Sequence, residues 1–190
     1  MQRQIIWEAL AEPSLEHLRL QANDLIGADG LIVGVVENQP IRLHYEVRCD
    51  SQYRFIMVRV SLYTPVYSSL LLSLDADGFW RTDKSDMPLP QLQGCLDIDI
   101  SATPFTKTLP IRRLGLQPGE SAEIKVAYIA IPTLQISAAQ QRYTCLAHSP
   151  DHSLYRFESL ADNFSADIQV DAAGLVVEYP GLFRRVWVGG

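Results

Sequence analysis

The sequence predicts an all-β protein: a single domain over residues 1–190, folded as a spiral β-roll or half-open barrel of about 12–15 mostly antiparallel strands. Apolar and polar residues alternate at a period of two in many short segments, and turn residues separate these segments at intervals of about eight to twelve positions. No window of about ten residues has the period of an amphipathic helix. A sheet of so many strands must protect its edges, so we expect it to curl.

The first half of the chain shows this alternation in six segments. Within 14–21, Glu16, Leu18 and Leu20 share one side of the predicted strand, and a short capped helix is the alternative there. The Gly-Ala-Asp-Gly sequence at 27–30 predicts a turn. We predict strands over 7–10, 14–21, 31–36, 41–49, 53–63 and 67–74.

The second half continues the pattern after an Asp-Ala-Asp-Gly hairpin turn at 75–78. A long polar surface loop with two prolines follows at 82–94, and a further Asp-x-x-Gly hairpin turn is predicted at 171–174. We predict the later strands over 122–131, 134–146, 154–159, 164–170, 175–179 and 182–188.

The segment 95–114 is the most unusual part of the chain. It opens as a strand in which Asp97 and Asp99 alternate with isoleucines, so both carboxylates are expected on one face. Pro104 and Pro110 bracket a threonine-rich run and are expected to fix a crossing. Paired carboxylates can perform the acid–base chemistry of sugar hydrolysis, so one hypothesis is an enzyme acting on a sugar or lipid conjugate.

Nearby arginines offer these acids a structural explanation. Arg112 and Arg113 follow thirteen to sixteen positions later, and carboxylates buried inside a sheet need partners. A guanidinium can hold a carboxylate through two hydrogen bonds, so an ion-pair network of Asp97 and Asp99 with Arg112, Arg113 or Arg42 is the alternative. The two roles can coexist if the acids and the arginines line a cavity.

Aromatic side chains are candidates for the apolar part of a binding site. Tyr45, Trp80 and Phe105 are predicted to line an amphipathic pocket, because aromatic faces pack against sugars and acyl chains. The alternative is that they belong to the core, where aromatic residues at strand positions commonly lie.

Composition and hydropathy argue against several classes of function and location. The formal net charge is −6 and the pI is about 5.1, with the basic residues scattered, so no nucleic-acid partner is expected. A local basic patch on an acidic protein is the alternative. The first residues show no signal-peptide pattern, and no stretch of about eighteen apolar residues exists, so we expect a cytoplasmic protein without a transmembrane segment. Three widely spaced cysteines predict free, buried thiols.

The sequence shows no pattern typical of a metal, cofactor or nucleophile site. His148 and His152 lie four positions apart, but they flank a predicted loop rather than share a helix face. No Cys-x-x-Cys pair, no Gly-x-Ser-x-Gly elbow and no glycine-rich phosphate loop is present. We therefore predict no cofactor, no metal ion and no catalytic residue.

Several runs of residues carry a resemblance to a known family. The central run is Asp97-Ile98-Asp99 followed by Thr103-Pro-Phe-Thr-Lys-Thr-Leu-Pro-Ile-Arg-Arg-Leu114. The further runs are Glu16-His17-Leu18, residues 45–50, Gln141-Arg142-Tyr143 and residues 170–185. Together they resemble the bacterial putative glycolipid-binding family. Lys107 departs from the family pattern, which more often has Asn there. The resemblance implies a spiral β-roll, similar in outline to bacterial lipoprotein and glycolipid carriers, that binds an amphipathic lipid.

The leading hypothesis is therefore non-catalytic binding of a glycolipid or a related lipid. Apolar strand faces would hold the acyl chains, while Asp97, Asp99, Arg112 and Arg113 would meet the polar head group. The alternatives are the enzyme described above and a protein-interaction or homodimer module that uses an exposed sheet face.

Overall fold

The computed structural model of the protein describes residues 2–85 and 87–190, and fourteen strands lie among them. A short helix, α1 (Thr108–Leu114), and two 3₁₀ turns, Pro90–Leu92 and Phe105–Lys107, accompany the strands. No helix in the described part is long and apolar enough to cross a bilayer. The strands are β1 (Gln2–Ala9), β2 (Ser14–Ala22), β3 (Leu25–Val36), β4 (Gln39–Asp50), β5 (Phe55–Leu62), β6 (Ser68–Leu74), β7 (Trp80–Thr82), β8 (Asp97–Ile100), β9 (Ser121–Ala130), β10 (Gln135–His148), β11 (His152–Ser159), β12 (Phe164–Asp171), β13 (Val176–Tyr179) and β14 (Phe183–Gly189).

All of these strands form one sheet, in the order β7-β6-β5-β4-β3-β2-β1-β14-β13-β12-β11-β10-β9-β8. Neighbouring strands are antiparallel, except that β8 and β9 run parallel. Strand β1 pairs with β14, so the first and last strands meet in the middle of the sheet, while β7 and β8 form its edges. The predicted all-β, mostly antiparallel and open architecture is confirmed.

The period-two pattern places one face of the strands inside the curled sheet. In β2, Glu16, Leu18 and Leu20 are buried, while His17 and Arg19 are exposed. This alternation matches a strand with one buried face, which is why β2 forms instead of the short helix that was the alternative.

The buried apolar side chains form two clusters, and the segment 95–114 joins them. One cluster lies largely on the inner faces of β1–β6, and the other is built mainly from β10–β13. Phe105 and Leu109 pack into the first cluster, while Ile111 packs into the second. The polar side chains of this segment are therefore carried into the interior with it.

The segment 95–114, which we call the central segment, contains a helix that the sequence did not predict. Pro110 lies in the first turn of α1, where its missing N–H removes no intrahelical hydrogen bond. The helix ends at Leu114, because Gly115 adopts a left-handed conformation (φ 58°) and donates its N–H to the carbonyl of Ile111. Seven residues are too few to show a clear helical period in the sequence.

The predicted turn at 27–30 is wrong, because these residues lie within β3. Gly30 is directly opposite Tyr45 of β4, and a Cβ atom at Gly30 would lie 2.2 Å from the tyrosine ring. The glycine therefore allows the Tyr45 ring to pack closely across the sheet, rather than allowing the chain to turn.

The other predicted turns are present. Gly78 donates its N–H to the carbonyl of Asp75, and Gly174 donates to the carbonyl of Asp171. The predicted surface loop at 82–94 also contains the end of β7 and a 3₁₀ turn in which Leu92 is buried. Asp86, within that predicted loop, lies outside the described residues.

The replacement Gly30→Ala is expected to lower the free energy of unfolding by about 1–3 kcal/mol, because the new methyl group would force the Tyr45 ring to move. Urea unfolding at neutral pH measures the change. Gly27→Ala in the same strand is the matched control, since a Cβ atom there would meet nothing within 4 Å. Equal effects of the two replacements would contradict this account of Gly30.

Candidate functional site

A groove of about 920 Å³ opens between the central segment and the strands of the second half of the sheet. Its lining combines aromatic and aliphatic side chains with a few buried polar groups, a composition typical of small-molecule sites. The lining residues are Asp99, Ile100, Ser101, Thr103, Lys107, Lys125, Tyr128, Ser137, Ala138, Ala139, Gln140, Gln141, Phe157, Ser159, Leu160, Ala161, Asp162, Phe164, Tyr179, Leu182 and Phe183.

Four aromatic rings form a continuous apolar surface in this groove, which we call the aromatic floor: Phe157, Phe164, Tyr179 and Phe183. The ring centroids of Phe157 and Phe164 are 6.3 Å apart, those of Phe157 and Tyr179 are 6.1 Å apart, and those of Tyr179 and Phe183 are 6.3 Å apart. Phe157 is 3% exposed and Phe164 is 39% exposed, so the floor runs from the interior to the solvent.

A buried polar cluster borders the inner end of the aromatic floor. Asp99 accepts hydrogen bonds from the hydroxyl of Thr106 (2.9 Å), from Nζ of Lys107 (2.6 Å) and from Nε2 of Gln141 (2.6 Å). The Lys107 ammonium also lies 4.0 Å from the centroid of the Phe157 ring, within cation–π range. The polar cluster of Asp99, Thr106, Lys107 and Gln141 is therefore in direct contact with the floor.

Tyr143 fixes the orientation of one member of this cluster. Its hydroxyl donates to Oε1 of Gln141 at 3.2 Å, which leaves the amide N–H group facing Asp99. Burial and the nearby Asp99 charge raise the pKa of Tyr143 well above its usual value, so this hydroxyl stays protonated and available as a donor.

Asp97, the second acid of β8, is paired with an arginine. Arg113 donates to both carboxylate oxygens of Asp97, at 3.0 and 2.6 Å, and the Asp97 side chain is fully buried. Burial raises the pKa of Asp97 above its ordinary value, and the hydrogen bonds and charge of Arg113 act against that shift. This pair ties α1 to β8 and shapes the segment that carries Lys107.

A third buried acid lies behind the groove. Oε1 of Glu16 accepts hydrogen bonds from the hydroxyls of Tyr45 and of Thr103, the latter at 2.8 Å. Burial raises the pKa of Glu16 to about 7, although the hydrogen bonds from Tyr45 and Thr103 act in the opposite direction. Among the described residues, no hydrogen-bond partner reaches Oε2 of Glu16.

The structure separates the site residues that the sequence analysis grouped together. Arg113 contacts Asp97 as predicted, but the Arg112 part of the predicted network is wrong. Arg112 lies over the Tyr53 ring, 5.4 Å from its centroid, and contacts the carbonyl of Ala172 instead. This follows from helix geometry, because adjacent residues of α1 point in different directions.

The other predicted residues lie mostly in the core. Tyr45 and Phe105 are buried and their rings stack at 6.4 Å, while buried Trp80 stacks on Phe55 and donates to the carbonyl of Cys95. Of the seven residues predicted to bind a ligand, Asp99 lines the groove. Ligand contact stays a prediction for all seven residues.

Three features of the site were not predicted from the sequence: the aromatic floor, Lys107 as the partner of Asp99, and Glu16 as a buried acid. Glu16 had a usable signal, because it shares one side of the alternating strand with Leu18 and Leu20. The alternation in β12 likewise placed Phe164 with apolar residues. Their convergence on one groove depends on the pairing of strands that are distant in sequence.

One group of side chains has the composition of a metal site, and it lies outside the groove. The potential ligand atoms of Asp29, His44 and Glu46 lie within 4.8 Å of one another. Arg19 is opposite Asp29, and Arg59 is opposite Glu46, on the neighbouring strands. This cross-strand row of opposite charges accounts for the acids through ordinary sheet electrostatics.

The cysteines are free and buried, as predicted. Burial raises the pKa of Cys49 to about 12 and that of Cys95 to about 11. These two thiols are therefore protonated at neutral pH and are poor nucleophiles.

The replacement Arg113→Met is expected to lower the free energy of unfolding by about 3–5 kcal/mol at pH 7, because it leaves the Asp97 carboxylate buried without its cation. The loss should shrink as the pH falls, since Asp97 can then take up a proton. Arg112→Met is the control and should cost less than about 1 kcal/mol. Urea unfolding of both variants measures these losses, and similar values would contradict the assigned pairing.

The Glu16→Gln variant is expected to change how stability depends on pH. The unfolded chain ionises Glu16 near pH 4.5, whereas the folded protein retains its proton up to about pH 7. Glu16 therefore stabilises the fold fully below pH 4.5, and this contribution of about 3 kcal/mol is lost as the pH rises through 7. Urea unfolding at pH 4.5 and 8 measures the free energy of unfolding, which should fall more between these pH values in the wild type than in the variant. An equal change in the two proteins would contradict this role of Glu16.

Comparisons with known proteins cover nearly the whole chain. The model of the family described as "Putative glycolipid-binding" matches residues 4–185. The crystal structure of a DUF1089 family protein from Pseudomonas aeruginosa is similar, with a TM-score of 0.81 and 37% sequence identity, and the alignment covers 91% of this chain and 92% of that chain. A search among curated proteins gave no match. Because the family model matches nearly the whole chain, including the groove and the central segment, this chain belongs to the putative glycolipid-binding family.

Proposed function

We propose that this chain is a cytoplasmic protein that binds a glycolipid or a related amphipathic lipid without catalysing a reaction of that ligand. We also propose that residues 1–190 form a single domain. The observation that carries the proposal is the direct contact between the aromatic floor and the polar cluster inside one groove. An amphipathic molecule needs an apolar surface and a polar anchor next to each other, and this groove supplies both.

The apolar part of the ligand is assigned to the aromatic floor. The rings of Phe157, Phe164, Tyr179 and Phe183 form a series of contacts from the buried end to the exposed end. An alkyl chain lying along them gains about 0.8 kcal/mol for each buried CH₂ group, so a chain of moderate length provides most of the binding free energy.

The polar part is assigned to the polar cluster at the inner end. Asp99 and Lys107 form an ion pair with no net charge, which favours an uncharged head group over an ionic one. Lys107 has three N–H donors, and Asp99 uses one of them, so donors remain for a ligand oxygen. Sugar hydroxyls suit this arrangement, because they both donate and accept hydrogen bonds beside an aromatic face.

Asp97 and Arg113 stabilise the segment that carries this site. Their double hydrogen bond holds α1 against β8, and the residue that precedes α1 is Lys107. We therefore assign two roles to the acids of the predicted ion-pair network, with Asp99 contacting the head group and the Asp97–Arg113 pair holding the segment in place.

The replacement Phe164→Ala is expected to weaken the binding of n-octyl β-D-glucoside about three- to tenfold, because it removes the solvent end of the aromatic floor. Isothermal titration calorimetry, with the glucoside kept below its critical micelle concentration, measures the dissociation constant. Phe79→Ala is the matched control, since Phe79 is also exposed and does not line the groove.

A series of alkyl chain lengths tests the same assignment. Each added CH₂ group should tighten binding to the wild type by up to about fourfold, while glucose alone should bind poorly. An absence of glucoside binding by the wild type, or equal losses in the two phenylalanine variants, would refute the assignment of the groove.

A further inference from the structure

Thr103 connects the groove to the buried acid of β2. The residue lines the groove, and its hydroxyl donates to Oε1 of Glu16 at 2.8 Å. The same hydroxyl oxygen accepts the backbone N–H of Phe105 at 3.0 Å. Thr103 therefore joins the carboxyl group of Glu16 to the turn that leads into Thr106 and Lys107 of the polar cluster.

Tyr45 of β4 holds Glu16 from the other side. Its hydroxyl donates to the same Oε1 atom and lies 3.3 Å from the Thr103 hydroxyl, so three side chains from distant parts of the sequence meet at one point. All three are buried. No partner for Oε2 exists among the described residues, which leaves one carboxyl oxygen free to gain or lose a proton without breaking a hydrogen bond of its own.

We propose that Glu16 is a positioning residue for the groove and that its ionisation tightens ligand binding by fixing Thr103 and the polar cluster that follows it. This inference rests on the proposed function, because it concerns the regulation of the same groove. It adds a residue that does not line the groove and that lies in the opposite half of the sheet.

The physical basis is the difference between charged and neutral hydrogen-bond acceptors. An ionised Glu16 accepts charge-assisted hydrogen bonds from Thr103 and Tyr45, which are about twice as strong as neutral ones. The turn from Thr103 to Phe105 is then held in the geometry that presents Thr106 and Lys107 to Asp99. A protonated Glu16 holds the turn less firmly, so the ligand must order the polar cluster as it binds and its affinity falls.

The surroundings of Glu16 place this change near neutral pH. Among the described residues, the titratable group that hydrogen-bonds with Glu16 is Tyr45, whose pKa is raised well above its usual value by burial and by Glu16, so the tyrosine remains a donor. Asp29 of β3 adds negative charge near Tyr45, and Thr103 of the central segment is not ionisable in this range. Burial raises the pKa of Glu16 itself to about 7.

The test is the affinity for n-octyl β-D-glucoside between pH 5.5 and 8.5, measured by isothermal titration. This probe is uncharged at every pH used. Wild-type protein should bind at least about fivefold more tightly at the alkaline end, whereas Glu16→Gln should bind with one affinity throughout. By linkage, binding at pH 7 should also release protons from the wild type, which appears as an enthalpy that depends on the ionisation enthalpy of the buffer.

Two replacements of Thr103 extend the test, in case Glu16→Gln fails to fold. Thr103→Val removes the connecting hydroxyl and should abolish the pH step and the proton release, while Thr103→Ser retains the hydroxyl and should retain both. Equal pH profiles in the wild type and in the Glu16→Gln or Thr103→Val variants would overturn the role of Glu16 while leaving the groove as a binding site. Failure of the wild type to bind the glucoside at any pH would overturn both proposals.

Discussion

The rest of this structure depends on the burial of carboxylates inside an open sheet. Asp97 and Asp99 are carried into the interior by β8, and each needs a positive partner there, because a buried unpaired charge would outweigh the apolar packing around it. Both partners, Arg113 and Lys107, come from the same short segment. The segment that introduces the charges thus also neutralises them, and it does so by folding into a turn and a helix between the two apolar clusters.

The groove follows from this arrangement. The central segment fills the interior on the side of β1–β6, while the inner surface of the later strands remains open along the groove. The aromatic floor there runs from the buried ring of Phe157 to the exposed ring of Phe164. Lys107 makes two contacts, because its ammonium group pairs with Asp99 and also lies over the ring of Phe157. A structural ion pair is therefore also the polar end of the groove, and Glu16 reaches it through Thr103 from the far side of the interior. The proposed ligand would therefore meet the same few hydrogen bonds that stabilise the fold.

Much of this architecture could be predicted from local patterns, because strands with one buried face alternate residue by residue. The contact between Asp97 and Arg113 could also be predicted, because buried acids require cationic partners and few basic residues lie nearby in the sequence. The role of Gly30 could not be predicted from local patterns, because a glycine is required there by the ring of Tyr45 on a neighbouring strand. Lys107 was missed as a partner because the 3₁₀ turn that carries it, Phe105–Lys107, is too short to show a period in the sequence. The aromatic floor depends on strand register, which single-sequence patterns do not specify.

The most direct test of the central claim is an NMR measurement of intermolecular nuclear Overhauser effects between the protein and n-octyl β-D-glucoside. We expect contacts from the alkyl protons to the rings of Phe157, Phe164 and Tyr179, and contacts from the sugar protons to the side chains of Lys107 and Gln141. Alkyl contacts confined to the outer surface, for example to the exposed ring of Trp187, would contradict the claim that the groove is the binding site.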